Sequence, residues 1–339
     1  MSVRAAELLP VDKSTVLFEF EVPNAAHLST VLSLVKPVVS DAMSFRVQSR
    51  QGTSDILISM LKKDSTAFVS ARVSCSALFY TATGHVQHYG DELVTVEFKR
   101  LRQALKGMSG NCAVVMYQLK PHLSTELYVY VRKEKRCTCF NIPILMENNE
   151  EHMVPLRYRH SLYLPVQQFR EDLAVAHEMS TEAAENVTLS LYAVPDAPPS
   201  HMLFVITAPG LAGSKGLLYT YLGPAPALDK AEDDAANERY AVDNTTVEVR
   251  SAIDSSMVST GGSVFSRNLA TMTRLFHGSF RTKEILQVLT EIRNETYVEV
   301  FLKRAHDDTS TGAMPMLLRM SGGPDLCMQF LFPPADSAE

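Results

Sequence analysis

The sequence predicts an α+β chain made of two similar domains, and three observations carry that reading. Many short runs alternate apolar and polar residues, only four stretches show a helical repeat, and those four fall two to each half. At 339 residues the chain has the length of about two domains, and a 46% hydrophobic content supplies a core for each.

The first half opens on a strand, TVLFEFEV, Thr15 to Val22, whose apolar and polar positions alternate around Leu17, Glu19 and Glu21. A helix follows, capped at Asn24, with Leu28, Val31, Leu32 and Val35 recurring at three and four and Pro37 ending the pattern. The strands SFRVQ, DILISML and STAFVSARV lead to a second helix, Glu97 to Lys106, closed by Gly107. CAVVMYQL, ELYVYVR and CTCFNIPI complete a first domain over 1–145. The acidic, turn-rich LMENNEEHMVPLRY predicts a connector, placed at 146–156.

The second domain, 157–339, begins the cycle again. SLYLPV is a strand, and Gln167 to Glu178 a helix with Val166, Phe169, Leu173 and Ala176 on one face. VTLSLY, MLFVITA and GLLYTYL follow, then a Pro/Ala/Asp-rich exposed loop, Pro224 to Glu238, and the strand TVEVRSAI. TMTRLFHGSF leads into a fourth helix, Thr282 to Ile292, and TYVEVFLK, PMLLRM and DLCMQFLF close the chain. Such recurrence points to duplication.

Composition narrows the function. The 32 basic and 38 acidic residues leave a net charge of −6, so the whole molecule repels nucleic acid at long range and any DNA contact must be local. Five irregularly spaced cysteines read as reduced thiols. No run approaches the roughly 20 apolar residues of a membrane helix, and no secretory start is present, so the matches at Asn186, Asn244 and Asn294 are chance sequons.

Enzyme motifs are absent or broken. GLAGSKG, Gly210 to Gly216, lacks the spacing of a phosphate-binding loop and reads as a turn. Cys137 and Cys139 have no second ligand pair nearby, which argues against zinc and for buried thiols on one strand face. Neither G-x-S-x-G nor H-E-x-x-H occurs, and His177 and His277 read as core-edge residues. No metal, cofactor or catalytic group is expected.

One helix face stands out. On Glu97 to Lys106, Phe98, Leu101 and Leu105 would face a sheet, leaving Lys99, Arg100, Gln103 and Lys106 outward and Arg102 on the flank. The plain alternative is a solvated charged face. The other helices offer Lys36, Arg170 and Lys283 among Glu171, Glu178, Glu284 and Glu291.

The block FNIPILMENNEEHMVPLRYRHSLYLPVQQFREDLAVAHEM resembles the domain junction of the sliding DNA clamp superfamily, typified by proliferating cell nuclear antigen. PMLLRMSGGPDLCMQFLFPPA resembles its closing strands, and the IPI, the SLYLP strand and TKEILQVL are most similar to the hydroxyurea-sensitivity branch of the nine-one-one checkpoint clamp. Ala193 to Ser200, Pro224 to Glu238 and Ala305 to Ala313 depart from the pattern as insertions.

The resemblance implies two clamp-fold domains, each with an outer curved antiparallel sheet and two inner helices. It implies a nuclear, non-catalytic subunit that closes with two paralogous clamp subunits round duplex DNA. A separate clamp-loader ATPase would load the ring, which then serves checkpoint and repair proteins. DNA-facing residues would be Lys36, Lys99, Arg100, Arg102, Lys106, Arg170 and Lys283. Ring-closing edges would lie at Cys137, Thr138, Cys139, Phe140, Asn141 and Ile142, and at Leu217, Tyr219 and Tyr221. Met146, Met153 and Val154 would offer apolar surface to partner peptides. A homotrimeric replicative or viral processivity clamp, and a scaffold that does not encircle DNA, stay open as alternatives.

Overall fold

Period-two burial builds the first strand. In the computed structural model, β1 (Val16–Val22) buries Val16, Phe18, Phe20 and Val22 at no more than 1% exposure. The described residues are 11–36, 41–50, 53–61, 68–87, 89–106, 108, 112–133, 136–146, 158–179, 185–209, 215–224, 249–253, 269–292, 297–302, 315–321 and 325–335. They belong to two compact units, Met1–Met153 with Ser321–Met328, and Val154–Met320 with Gln329–Glu339.

In the first unit, α1 (Ala25–Val35) starts at Asn24, whose side chain accepts from the Ala26 N–H at 3.1 Å. It packs on the 13-residue β4 (Phe68–Tyr80) through Leu28, Val31, Leu32 and Val35 on its buried side. Around them stand β2 (Ala42–Arg50), β3 (Thr53–Leu61), the short β5 (Val86–Gln87) and β6 (Gly90–Glu97). β7 (Val114–Leu119), β8 (Glu126–Lys133) and β9 (Arg136–Pro143) follow α2 (Phe98–Ala104). The antiparallel order is β9-β8-β7-β1-β4-β3-β2-β6, and a single bridge, Val96 to Ile144, ties β6 to the end of β9.

The sequence pattern did not reveal β6. Asp91, Glu92 and Glu97 mask the alternation, yet Val94 and Val96 are fully buried, and Gly90 lets the Phe79 ring lie where a Cβ would stand, 2.2 Å from the nearest ring atom.

The second unit repeats the scheme: β10 (His160–Pro165), α3 (Val166–Met179), β11 (Asn186–Ala193), β12 (Met202–Pro209), β13 (Lys215–Pro224) and β14 (Val249–Ile253). Then come β15 (Arg274–Arg281), α4 (Thr282–Glu291), β16 (Tyr297–Leu302), β17 (Met316–Ser321) and β18 (Leu326–Phe332), of which Ser321 and Leu326–Met328 fall within the first unit. Its strand order, β18-β17-β16-β10-β14-β13-β12-β11-β15, matches the first unit position by position except at one place. Where the unbroken β4 runs antiparallel to β1, the corresponding strand is split. β13 ends at Pro224, and β14 folds back against that end and so lies parallel to β10. Val166, Phe169, Leu173 and Ala176 of α3, and Ile285, Val288 and Leu289 of α4, face this unit's core. His277 is exposed and sits 3.0 Å from Ser190 Oγ, and His177 is exposed on α3.

Candidate nucleic-acid interface

One apolar face anchors the short helix α2: Phe98, Leu101 and Ala104, with Leu105 just beyond, are at most 8% exposed. The Phe98 N–H donates to Asp41 O at 2.9 Å, which ties its start to the entry of β2. The opposite face therefore points away from the sheet, and Lys99, Arg100, Arg102, Gln103 and Lys106 are all exposed.

Between α1 and α2 lies a depression of about 600 Å³. Helix α1 contributes Ser29, Leu32, Ser33 and its cap Lys36, residues spaced to share one face. From α2 and its end come Lys99, Arg102, Gln103 and Lys106, with Phe98 and Leu105 beneath. Asp41 is the single carboxylate among the lining residues. Among the described residues none of Lys36, Lys99, Arg102 and Lys106 makes an ion pair, so their charge is left to act outward. Arg100 differs: its Nε lies 2.7 Å from Glu97 Oε2, and it does not line the depression.

In the second unit Lys283 is exposed and Arg170 half-buried, but carboxylates crowd their helices. Glu171 and Glu178 are exposed on α3, and Glu171 Oε1 accepts from Gln167 Nε2 at 2.8 Å. Burial, and then the charge of Glu171, raise the Asp172 pKa. On α4, Glu284 Oε1 stands 3.5 Å from Arg281 Nη1.

The two expected edges differ in how much backbone they leave open. β9 pairs with β8 along its whole length, and on its other side only the bridge at Ile144 is made among the described residues. Cys137, Thr138, Cys139 and Asn141 are exposed, Phe140 is half-buried, and Ile142, 1% exposed, belongs to the unit's own core. The expectation of buried thiols at Cys137 and Cys139 is thus corrected. Alternation turns Ile142 inward, and an edge strand leaves the opposite face uncovered. On β13, Leu217, Tyr219 and Tyr221 pair through their backbones with β12, while Leu222 also pairs with Ile253 of β14, which closes that end of the edge. Met146 is 99% exposed; Met153 and Val154 lie outside the described residues.

The sequence pattern missed Ser29, Ser33 and Asp41 as lining groups. The spacing of Ser29, Ser33 and Lys36 was a usable signal for a shared face, but Asp41 joins them only through the fold.

Two repeats of strand, helix and antiparallel strands, with both helices of each repeat on one side of their sheet elements, define the α+β clamp fold. Solved structures agree: the chain is similar to proliferating cellular nuclear antigen from Entamoeba histolytica, TM-score 0.58 at 12% identity, over 94% of this chain and 99% of that one. Proliferating cell nuclear antigen from Thermococcus kodakaraensis matches with TM-score 0.58 at 13% identity, over the same shares. No family model matches the sequence, and no curated protein does.

Proposed function

We propose that this chain is a non-catalytic subunit of a ring that encircles duplex DNA, acting in the nucleus within a heterotrimeric damage-checkpoint clamp. Two paralogous clamp subunits would complete the ring, a clamp-loader ATPase would open it, and checkpoint and repair proteins would use it as a platform. The observation that carries the reading is the set of four cations, Lys36, Lys99, Arg102 and Lys106, that make no ion pair among the described residues and gather at one depression in a chain of net charge −6. A clamp must grip phosphate without reading sequence, and local positive charge on a repelling body does that.

The heterotrimer is favoured by the imbalance between units. Glu171, Asp172, Glu178 and Glu284 share the helices that carry Arg170 and Lys283, so the second unit's helices attract phosphate weakly and the ring needs cationic neighbours. Similarity to two nuclear-antigen structures favours, as the second reading, a homotrimeric processivity clamp. Light scattering separates the two: the heterotrimer reading expects a monomer of the pure chain, and a trimer selects the alternative. Met146, Met153 and Val154 are proposed as a partner-peptide contact on the connector.

Reversal of Lys99, Arg102 and Lys106 to Glu is expected to weaken DNA retention by the assembled ring. It should also flatten the plot of log affinity against log salt by about 0.9 per lost phosphate contact. An unchanged slope would remove the assignment.

A further inference from the structure

We infer that the depression between α1 and α2 is a discrete site for a small organic polyphosphate, a compact body with hydroxyl or amine groups and at least two phosphates. The inference rests on the reading of Lys36, Lys99, Arg102 and Lys106 as phosphate contacts, and adds a ligand that would compete with DNA for them.

Size is the first argument. A surface that slides along duplex of any sequence needs charge but no concavity. The observed 600 Å³ falls within the roughly 300–1,000 Å³ range of small-molecule sites. Composition is the second. Leu32, Phe98 and Leu105 supply an apolar base, while a few polar groups stand above it, the usual make-up of a pocket that orients a ligand. Four cations against one carboxylate leave a net charge of +3, which calls for more than one phosphate.

The polar groups that are not cationic decide the ligand's body. Neither the Ser29 nor the Ser33 hydroxyl is hydrogen-bonded among the described residues, and the Gln103 amide is exposed, so all three can donate or accept. Asp41 only accepts and repels a bare phosphate chain. A sugar or inositol hydroxyl, or a base amine, would turn that repulsion into a hydrogen bond. Nucleoside triphosphates and inositol polyphosphates share this chemistry.

Calorimetry on the purified chain at fixed ionic strength, with magnesium excluded, tests the inference using ATP, an inositol trisphosphate that keeps free ring hydroxyls, and inorganic tripolyphosphate as probes. At least one ester should bind roughly tenfold more tightly than tripolyphosphate, because only an ester brings a hydroxyl or amine that can donate to Asp41, whereas Ser29 and Ser33 can donate to the phosphate oxygens of either. Which ester does so identifies the source. Asp41→Asn should narrow that preference, and Lys99→Glu with Arg102→Glu should abolish saturable binding while leaving the far-ultraviolet circular dichroism unchanged. Equal binding of ester and tripolyphosphate overturns the inference, as does binding that survives the double reversal or the lack of saturation with any probe. The DNA reading is judged separately, on the assembled ring: retention that ignores the same double reversal would sink that reading and leave the ligand site standing.

Discussion

Single residues carry stakes outside the cationic depression as well. Glu299 on β16 and Arg319 on β17 stand opposite each other, with Arg319 Nε and Nη2 at 2.9 and 2.6 Å from Glu299 Oε2. Their side chains are 6% and 10% exposed, and the guanidinium lies 4.8 Å from the centre of the Phe301 ring. Removal of one partner takes the counter-charge from a buried ion, so Glu299→Ala should cost about 3–5 kcal/mol in urea unfolding. Glu299→Leu combined with Arg319→Met should recover most of it, because an apolar pair of similar volume has no charge to desolvate. A double variant as unstable as Glu299→Ala would show that the pair's worth lies in its charges. Sequence alone placed both residues in strands; their opposition depends on the β16–β17 register.

At the scale of elements, the edge strand β9 is the most consequential piece. Its side away from β8 has no strand partner among the described residues, and the proposed ring would close by pairing there. Thr138→Pro removes one N–H and distorts the edge while β7, β1 and β4 keep their partners. That variant is expected to stay folded by circular dichroism and to lose assembly with clamp partners in a pull-down; assembly equal to the parent's would place the interface elsewhere. Helix starts and strand runs were legible because they are local: Asn24 caps α1 as its type predicts, and Val16, Phe18, Phe20 and Val22 turn inward as read, although Glu19, expected on the polar face, is buried too. β6 was not, because its charged ends hide a buried middle.

Across the whole molecule, tyrosine burial couples stability to alkaline pH. Burial raises the Tyr80 and Tyr158 phenols above their ordinary 10.0, and pushes Tyr117 up to about 12. Above pH 10 the unfolded chain releases these protons while the folded chain holds them. Stability is therefore full below pH 10 and falls as pH rises toward 12. Tyr158 tests this cleanly, since its hydroxyl is buried with no hydrogen-bond partner among the described residues. Tyr158→Phe should leave the neutral-pH urea midpoint close to the parent's and make the alkaline decline shallower; a decline as steep as the parent's would contradict the account. By itself the sequence determined the α+β class, the cycle of strand, helix and strands, and the cationic face of α2, because periodicity and side-chain charge are properties of neighbouring residues. Only the tertiary structure decided that Arg100 pairs with Glu97 while Lys36 joins Lys99, Arg102 and Lys106. It also decided that Cys137 and Cys139 stand exposed on an edge, and that β14 runs parallel to β10. Those outcomes depend on which segment lies beside which, and strand pairing sets that between residues too distant in sequence for any local pattern to record.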